Sequence, residues 1–267
     1  MSTVNAFTGS VPANYEKYLG PILFEPYALD LMQRFPKSAS NIFELACGTG
    51  RVTNHLTKVM HEDATLIASD LNPDMLDIAK SIVEDNRVQW HVVDAMQLPF
   101  NEEVFDVVLC QFGVMFFPDK GAAFKGVHRI LKNGGTFLFN TWDSFTSNPR
   151  PAIMVQVMKD LLGEKTPDFM AKGPYSFFDT DLIHSLLTDA GFTNIKIDTV
   201  PKVSYYSDPA DIVKGFVEGS PLGHYLNQLG GDMQEEVSKR LHTALKEQYG
   251  EKDCSVPMQA FVVEAKK

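Results

Sequence analysis

The chain has 267 residues, 44% of them hydrophobic and 22% charged, with 24 Lys and Arg against 34 Asp and Glu and a formal charge of −10. That length buries a sizeable α/β core. The acidic balance, with no dense Lys/Arg stripe, argues against nucleic acid, whose binders need a basic face, so a small molecule is the expected partner. No apolar run is long enough to span a bilayer, and residues 1–20 lack a basic segment followed by an apolar one, so the expectation is a cytoplasmic protein. Cys47, Cys110 and Cys254 form no CxxC pair and read as reduced, structural thiols.

Residues 1–20 carry few structural signals beyond Tyr15 and Tyr18 at helical spacing. Residues 21–35 then read as a helix burying Leu29, Leu31, Met32 and Phe35, either lying on the core or serving as a lid that places aromatic faces over a site. The stretch NIFELACGTGR, residues 41–51, is a strand, a small-residue turn and a helix start, and the helix runs over 51–60. A second strand over 64–70 is followed by Asn72 as helix cap and Pro73 as first helical residue, with Met75, Leu76, Ala79, Ile82 and Val83 as one apolar stripe. VQWHVVD is a third strand ending at Asp94, and the apolar run over 105–112 is a fourth, buried on both faces. A helix over 119–131 closes at Asn133-Gly134-Gly135, and a fifth strand fills 135–142.

Beyond this the pattern changes. Residues 143–178 form a long insertion with one helix, 151–162, and an aromatic close, PYSFF. A helix over 180–190 with Leu182, Ile183, Leu186 and Leu187 leads to a strand at 193–200 that can extend to 206. Helices at 209–218, 221–229 and 235–249 precede the last strand, VPMQAFVVEAK. The alternation describes one domain: a Rossmann-like, doubly wound, mostly parallel seven-stranded sheet with helices on both faces. Residues 1–40 form a helical lid, 41–142 a ligand-binding core, 143–178 and 208–250 a helical cap, and 179–207 and 251–267 the end of the sheet. In such sheets a ligand sits beyond the strands' C-terminal ends, near the switch point.

Three acids, Glu44, Asp70 and Asp94, end the first three strands. A carboxylate at Glu44 repels a pyrophosphate and welcomes a cationic ligand. Asp70 follows Gly50 at the separation where an acid reaches a ribose, about 20 residues; its other possible role, capping the next helix, is better filled by Asn72. Asp94 with Ala95 can read an adenine edge or be a solvated loop acid. Gly48-Thr49-Gly50 behind Ala46 satisfies two positions of GxGxxG, but Thr53 stands at the third, which with Glu44 weighs against a nicotinamide cofactor.

FELACGTGR, SDLNPDML, VVDAMQLPF and FDVVLCQFGVMFFPDKGAAFKGVHRILKNGG, in that order, resemble the motifs of class I S-adenosylmethionine-dependent methyltransferases, closest to the small-molecule branch with the quinone-biosynthesis (type 11) enzymes. The resemblance covers 42–142 and implies S-adenosylmethionine as cofactor and S-adenosylhomocysteine as product. Glu44 would hold the methionine end, while Gly48 and Gly50, with Ala46 and Thr49, let it pass over the loop. Asp70 would bind the ribose, and Leu71 and Met75 would pack beside sugar and adenine. Asp94 and Ala95, with Met96 next to them, would read the adenine edge. The Gln111 carbonyl would meet the ligand ammonium, and Tyr15 and Tyr18 would lie over the cofactor.

Methyl transfer from a sulfonium is an in-line displacement, so alignment in a dry site is the main task. Tyr18, Phe112, Phe116, Trp142 and Tyr175 are aromatic faces able to stabilise a dispersing cation, with ordinary core packing as the alternative for each and the favoured one for Phe112 and Phe116. The seven histidines offer no metal-ligand or triad spacing. His224, beside Tyr225 in the cap segment GSPLGHYLNQL, is the histidine to test as a general base. QFGVMFF stands where amino-group nucleic-acid methyltransferases carry an NPPY- or DPPY-like motif, which favours a small acceptor. A nicotinamide oxidoreductase and a non-catalytic S-adenosylmethionine-binding protein remain alternatives.

Overall fold

In the computed structural model, which describes residues 7–267, one long helical arm precedes the sheet. It comprises α1 (Val11–Asn14), a π-helical stretch (Tyr15–Phe24) and α2 (Glu25–Arg34). The helix expected from residue 21 therefore begins ten residues earlier, and Pro21 lies inside it, where the wider π spacing takes up the missing backbone donor. The first six residues of the expected lid lie outside the described residues.

The sheet and its helices follow in the order β1 (Asn41–Leu45), α3 (Arg51–Val59), β2 (Thr65–Asp70), α4 (Pro73–Ile82), β3 (Val88–Val92), β4 (Phe105–Gln111), α5 (Lys120–Ile130) and β5 (Leu131–Trp142). Then come α6 (Pro149–Leu162), α7 (Phe169–Lys172), α8 (Thr180–Asp189), β6 (Thr193–Tyr206), α9 (Pro209–Glu218), α10 (Pro221–Leu229), α11 (Met233–Tyr249) and β7 (Cys254–Lys266). The seven strands lie in the order β3-β2-β1-β4-β5-β7-β6, with β7 antiparallel to both neighbours. Strand order reverses between β1 and β4, so right-handed crossovers send α3 and α4 to one face and α5 to the other. There α2 packs on α3, and α5 packs on α8.

Side-chain caps set the helix starts: Asn72 accepts from the Asp74 N–H at 2.8 Å, and Asp119, Asp179, Asp208 and Ser220 cap α5, α8, α9 and α10. The core runs through β1, β4 and β5, where Ile42, Phe43, Val107, Val108, Phe137 and Phe139 are buried. Three positions expected on buried stripes face solvent: Leu29, Ile82 and Leu182 are each more than 40% exposed, because their stripes are wider than the surface each helix covers. Strand β5 starts at Leu131, which pairs with Phe105 across an irregular register, so α5 ends one residue short of the expected 131 and the Gly134 turn lies within the strand.

The rear of the arm is pinned to the sheet. Tyr27 donates to the Val200 carbonyl at 3.1 Å, and Arg34 bridges Asp30, Asp198 and Glu264. Strands β6 and β7 run on past the end of β5, pairing from Pro201–Gln259 to Tyr206–Cys254, and this ribbon carries the cap of α6, α9, α10 and α11. No helix among the described residues is long and apolar enough to cross a membrane.

Candidate active site

The switch point falls between β1 and β4, and the chain reverses sharply at both strand ends. Ala46 has φ +57°, Gly48 +56°, Gly50 +81° and Phe112 +50°. A Cβ on Gly50 would stand 2.9 Å from the Ala79 Cβ, so the loop passes over α4 only because that atom is absent. A Cβ on Gly48 would meet nothing within 4 Å, which leaves open space above the turn. The Phe112 turn is held by Asn140, whose Oδ1 accepts the Phe112 N–H at 2.8 Å.

Glu44 and Asp70 lie side by side at the ends of β1 and β2. Glu44 is 1% exposed and accepts from Thr53 Oγ1 at 2.6 Å, so the threonine that breaks the dinucleotide fingerprint serves the glutamate instead. Burial pushes the Glu44 carboxyl up to about 8, with nearby Asp70 adding to the rise and Thr53 opposing it. A carboxyl raised in this way is ionised most readily next to a cation, which favours its charged form. Asp70 accepts the Gly48 N–H at 2.8 Å and the Asn72 N–H at 2.9 Å; burial raises it too, against these bonds. Its carboxylate thereby ties the glycine turn to the start of α4. Leu71 is exposed and Met75 buried beside it. Asp94 lies at the surface past β3, accepting its own Met96 N–H, with Ala95 buried next to it.

The arm crosses this edge. Thr49 donates to Glu16 at 2.6 Å, Arg51 pairs with both Glu16 and Glu25, and His55 meets Glu25 at 2.8 Å. Gly20 gives the Arg51 guanidinium its room, since a Cβ there would stand 2.9 Å from Cζ. Asn72 donates to the Phe7 carbonyl at 2.8 Å. Tyr15 is partly buried at this crossing, and desolvation of its hydroxyl, with Glu16 and Asp70 nearby, holds that group protonated.

From Tyr15 a column of rings leads inward under the cap. Tyr15 stacks on Phe24 at 4.9 Å, Phe24 meets Phe112 at 5.7 Å, Phe112 stacks on Trp142 at 4.0 Å, and Trp142 faces Tyr175 at 6.1 Å. Phe112, Trp142 and Tyr175 thus stand together. Phe116, on a 3-10 turn, is half-exposed and contacts Gly173 outside the column.

Other expected positions fall elsewhere. Tyr18 turns toward α9, its ring near Lys17 and Lys214, because Gly215 lets α9 approach closely. The Gln111 side chain donates to the Phe24 carbonyl at 3.0 Å and fastens the arm to β4. His224 is exposed and pairs with Gln228 at 2.9 Å, because α10 buries Leu222 and Leu226 on its opposite side. Tyr225 donates to the Lys165 carbonyl and joins two cap segments. Cys47 and Cys110 are buried, and burial pushes their thiols up, which disfavours the thiolate form. The sequence reading missed Phe24, Glu16, Arg51 and Asn140; only Arg51, directly after the glycine turn, stood at a telling position.

A family model described as a methyltransferase domain matches residues 43–139. Demethylmenaquinone methyltransferase of Staphylococcus saprophyticus is 30% identical over 175 residues, 60% of this chain and 73% of that protein. The ubiquinone/menaquinone biosynthesis C-methyltransferase UbiE of a Shewanella species is 25% identical over 170 residues, 58% of this chain and 66% of its own length. Among solved structures, phosphoethanolamine N-methyltransferase 2 of Haemonchus contortus, in complex with phosphomonomethylethanolamine and S-adenosylhomocysteine, shares the fold at TM-score 0.62 and 18% identity, covering 96% of this chain and 56% of that one. The chain belongs to the class I S-adenosylmethionine-dependent methyltransferases, in the branch of the quinone-biosynthesis enzymes. It is an S-adenosylmethionine-dependent methyltransferase, and S-adenosylmethionine is its cofactor.

Proposed function

We propose that the chain methylates a small planar acceptor of the quinol or hydroxylated-aromatic class by in-line displacement. The observation that carries this is the ring column, which starts at Tyr15 beside Asp70 and ends at Trp142 and Tyr175 beneath the cap. An aromatic wall of this kind favours a flat acceptor over an aliphatic one, and a water-poor site favours methyl transfer. The names of the relatives, which act on demethylmenaquinone or in quinone biosynthesis, support an aromatic acceptor and a carbon as methyl-receiving atom.

When bound, the cofactor supplies an electrophilic methyl group on a sulfonium. The chain's own residues do the rest. Glu44 takes the ammonium, Asp70 the ribose hydroxyls, and Asp94 with Ala95 the adenine edge, while Gly48 leaves the backbone open to the ligand. The Gln111 carbonyl lies within the same strand end as Phe112, which faces the acceptor. With His224 directed outward, no histidine base is assigned; an electron-rich ring carbon or an acidic phenol reacts without one.

Incubation with S-adenosylmethionine and a panel of quinols, hydroxylated aromatics and aliphatic amines, read by mass spectrometry for S-adenosylhomocysteine and methylated product, tests the reading. Turnover confined to the aliphatic amines would overturn it.

A further inference from the structure

The start of α3 attracts an anion that its own sequence does not supply. The helix begins on Gly50, which has no side chain to cap it, and its first turn carries no acid. The acid comes from the arm. Glu16 spreads its carboxylate across the helix start: one oxygen accepts from Thr49 Oγ1 at 2.6 Å, and the other pairs with Arg51 Nη2. A hydroxyl and a guanidinium meeting the two oxygens of one carboxylate make a carboxylate seat, built from residues interleaved with Gly48 and Gly50.

Arg51 divides itself between two acids, and the two are not held alike. Glu25 starts α2 and also meets His55 at 2.8 Å; against burial, the bonds from Arg51 and His55 hold its carboxyl below its ordinary value. Glu16 lies on the π-helical stretch, and burial holds its carboxyl above that value despite Thr49 and Arg51, with Glu25 adding to the rise. Glu16 is therefore the harder of the two to keep ionised, and the easier to exchange. The arm keeps a hold without it. Arg51 Nη2 reaches the backbone carbonyl of Glu16 at 3.5 Å, and Nη1 stays on Glu25 at 2.6 Å. A turn of one side chain frees the seat and uncovers Thr49, which is 3% exposed with Glu16 against its hydroxyl.

The seat adjoins the place proposed for the amino-acid end of the cofactor. The turn is open above Gly48, and Thr49 is the next residue. Glu44, proposed to take the ammonium, is tied through Thr53 to the first turn of the same helix. We infer that Thr49 and Arg51 bind the carboxylate of the cofactor's methionine end, and that Glu16 is a resident stand-in which this carboxylate displaces. One carboxylate replaces another, so the seat needs no added volume and Arg51 keeps its charge balance. The inference rests on the methyl-transfer reading above, with Glu44 on the ammonium.

Calorimetry with S-adenosylhomocysteine comes first, because a chain that does not bind it sinks the methyl-transfer reading itself. Its decarboxylated analogue, which keeps the amine, and methylthioadenosine, which lacks both amine and carboxylate, are then titrated beside it into the natural chain, Glu16→Gln and Glu16→Ala. With its competitor removed, the seat should raise S-adenosylhomocysteine affinity about tenfold relative to the decarboxylated analogue, the yield of one charge-assisted contact. Methylthioadenosine affinity should stay the same. Arg51→Lys and Thr49→Val should each lower the ratio of the first two ligands. If Glu16 only pinned the arm, its loss would weaken all three ligands together. If it held the ammonium, both amines would weaken and methylthioadenosine would not. Either result, an unchanged ratio in both Glu16 variants, or loss of folding in both would overturn the inference.

Discussion

The proposed contact between Glu44 and the ligand ammonium predicts that cofactor binding is linked to proton release. Burial raises its carboxyl from the ordinary 4.5 to about 8, so at pH 7 only about a tenth of the empty protein carries the ionised form that an ammonium prefers. Binding at that pH should release roughly nine-tenths of a proton, and affinity should climb about tenfold between pH 6 and 7. The ligand amine loses its own proton near pH 8, so the rising limb is read below 7.5. The same shift governs the unliganded fold. A carboxyl raised on folding contributes stability that is complete below its unfolded value near 4.5 and is lost as pH rises through about 8, a span of about 5 kcal/mol for a group this buried. Glu44→Gln should remove both slopes, leaving affinity flat from pH 6 to 7.5 and the variant more stable than the natural chain at pH 9. The assay is titration calorimetry with S-adenosylmethionine in buffers of different ionisation enthalpy, joined to denaturant melts across pH. A binding enthalpy independent of buffer at pH 7, or an unchanged slope in Glu44→Gln, would refute the reasoning.

Other substitutions test the remaining parts of the site. Asp70→Ala removes the acceptor of the Gly48 and Asn72 N–H groups along with the proposed ribose ligand, and should weaken S-adenosylmethionine binding about tenfold or more by calorimetry. Gly50→Ala forces a side chain to φ +81° with its Cβ 2.9 Å from Ala79, and should cost ~1–3 kcal/mol of stability in a urea melt. Asn140→Leu strands the buried Phe112 N–H and should cost ~1–3 kcal/mol in the same melt. His224→Ala should leave turnover unchanged from pH 6 to 9, since its imidazole meets Gln228 at the surface.

Strands β1, β4 and β5 were legible because each is an apolar run, β1 being closed by the small residues Ala46-Cys47-Gly48, and Asn72-Pro73 marks its helix start by capping chemistry alone. The arm over 11–24 was not. Pro21 after Gly20 reads locally as a break, and π spacing shifts the buried Leu19, Ile22 and Leu23 away from a 3.6-residue period. The outward direction of His224 was legible and overlooked: two residues from both Leu222 and Leu226, it falls on the helix face away from them. The partners of Tyr18 and Gln111 depend on how α9 and the arm dock, which no local pattern encodes.

The way the arm is fastened has a dynamic consequence. Its rear half is riveted by Arg34 and Tyr27, while its front half is held over the glycine turn by Thr49 and by the Arg51 forks to Glu16 and Glu25. Swinging that front half away means parting two carboxylate pairs from one guanidinium at once. Opening is therefore all-or-none rather than gradual fraying, and amide hydrogen exchange across 11–24 should occur as a single cooperative unit.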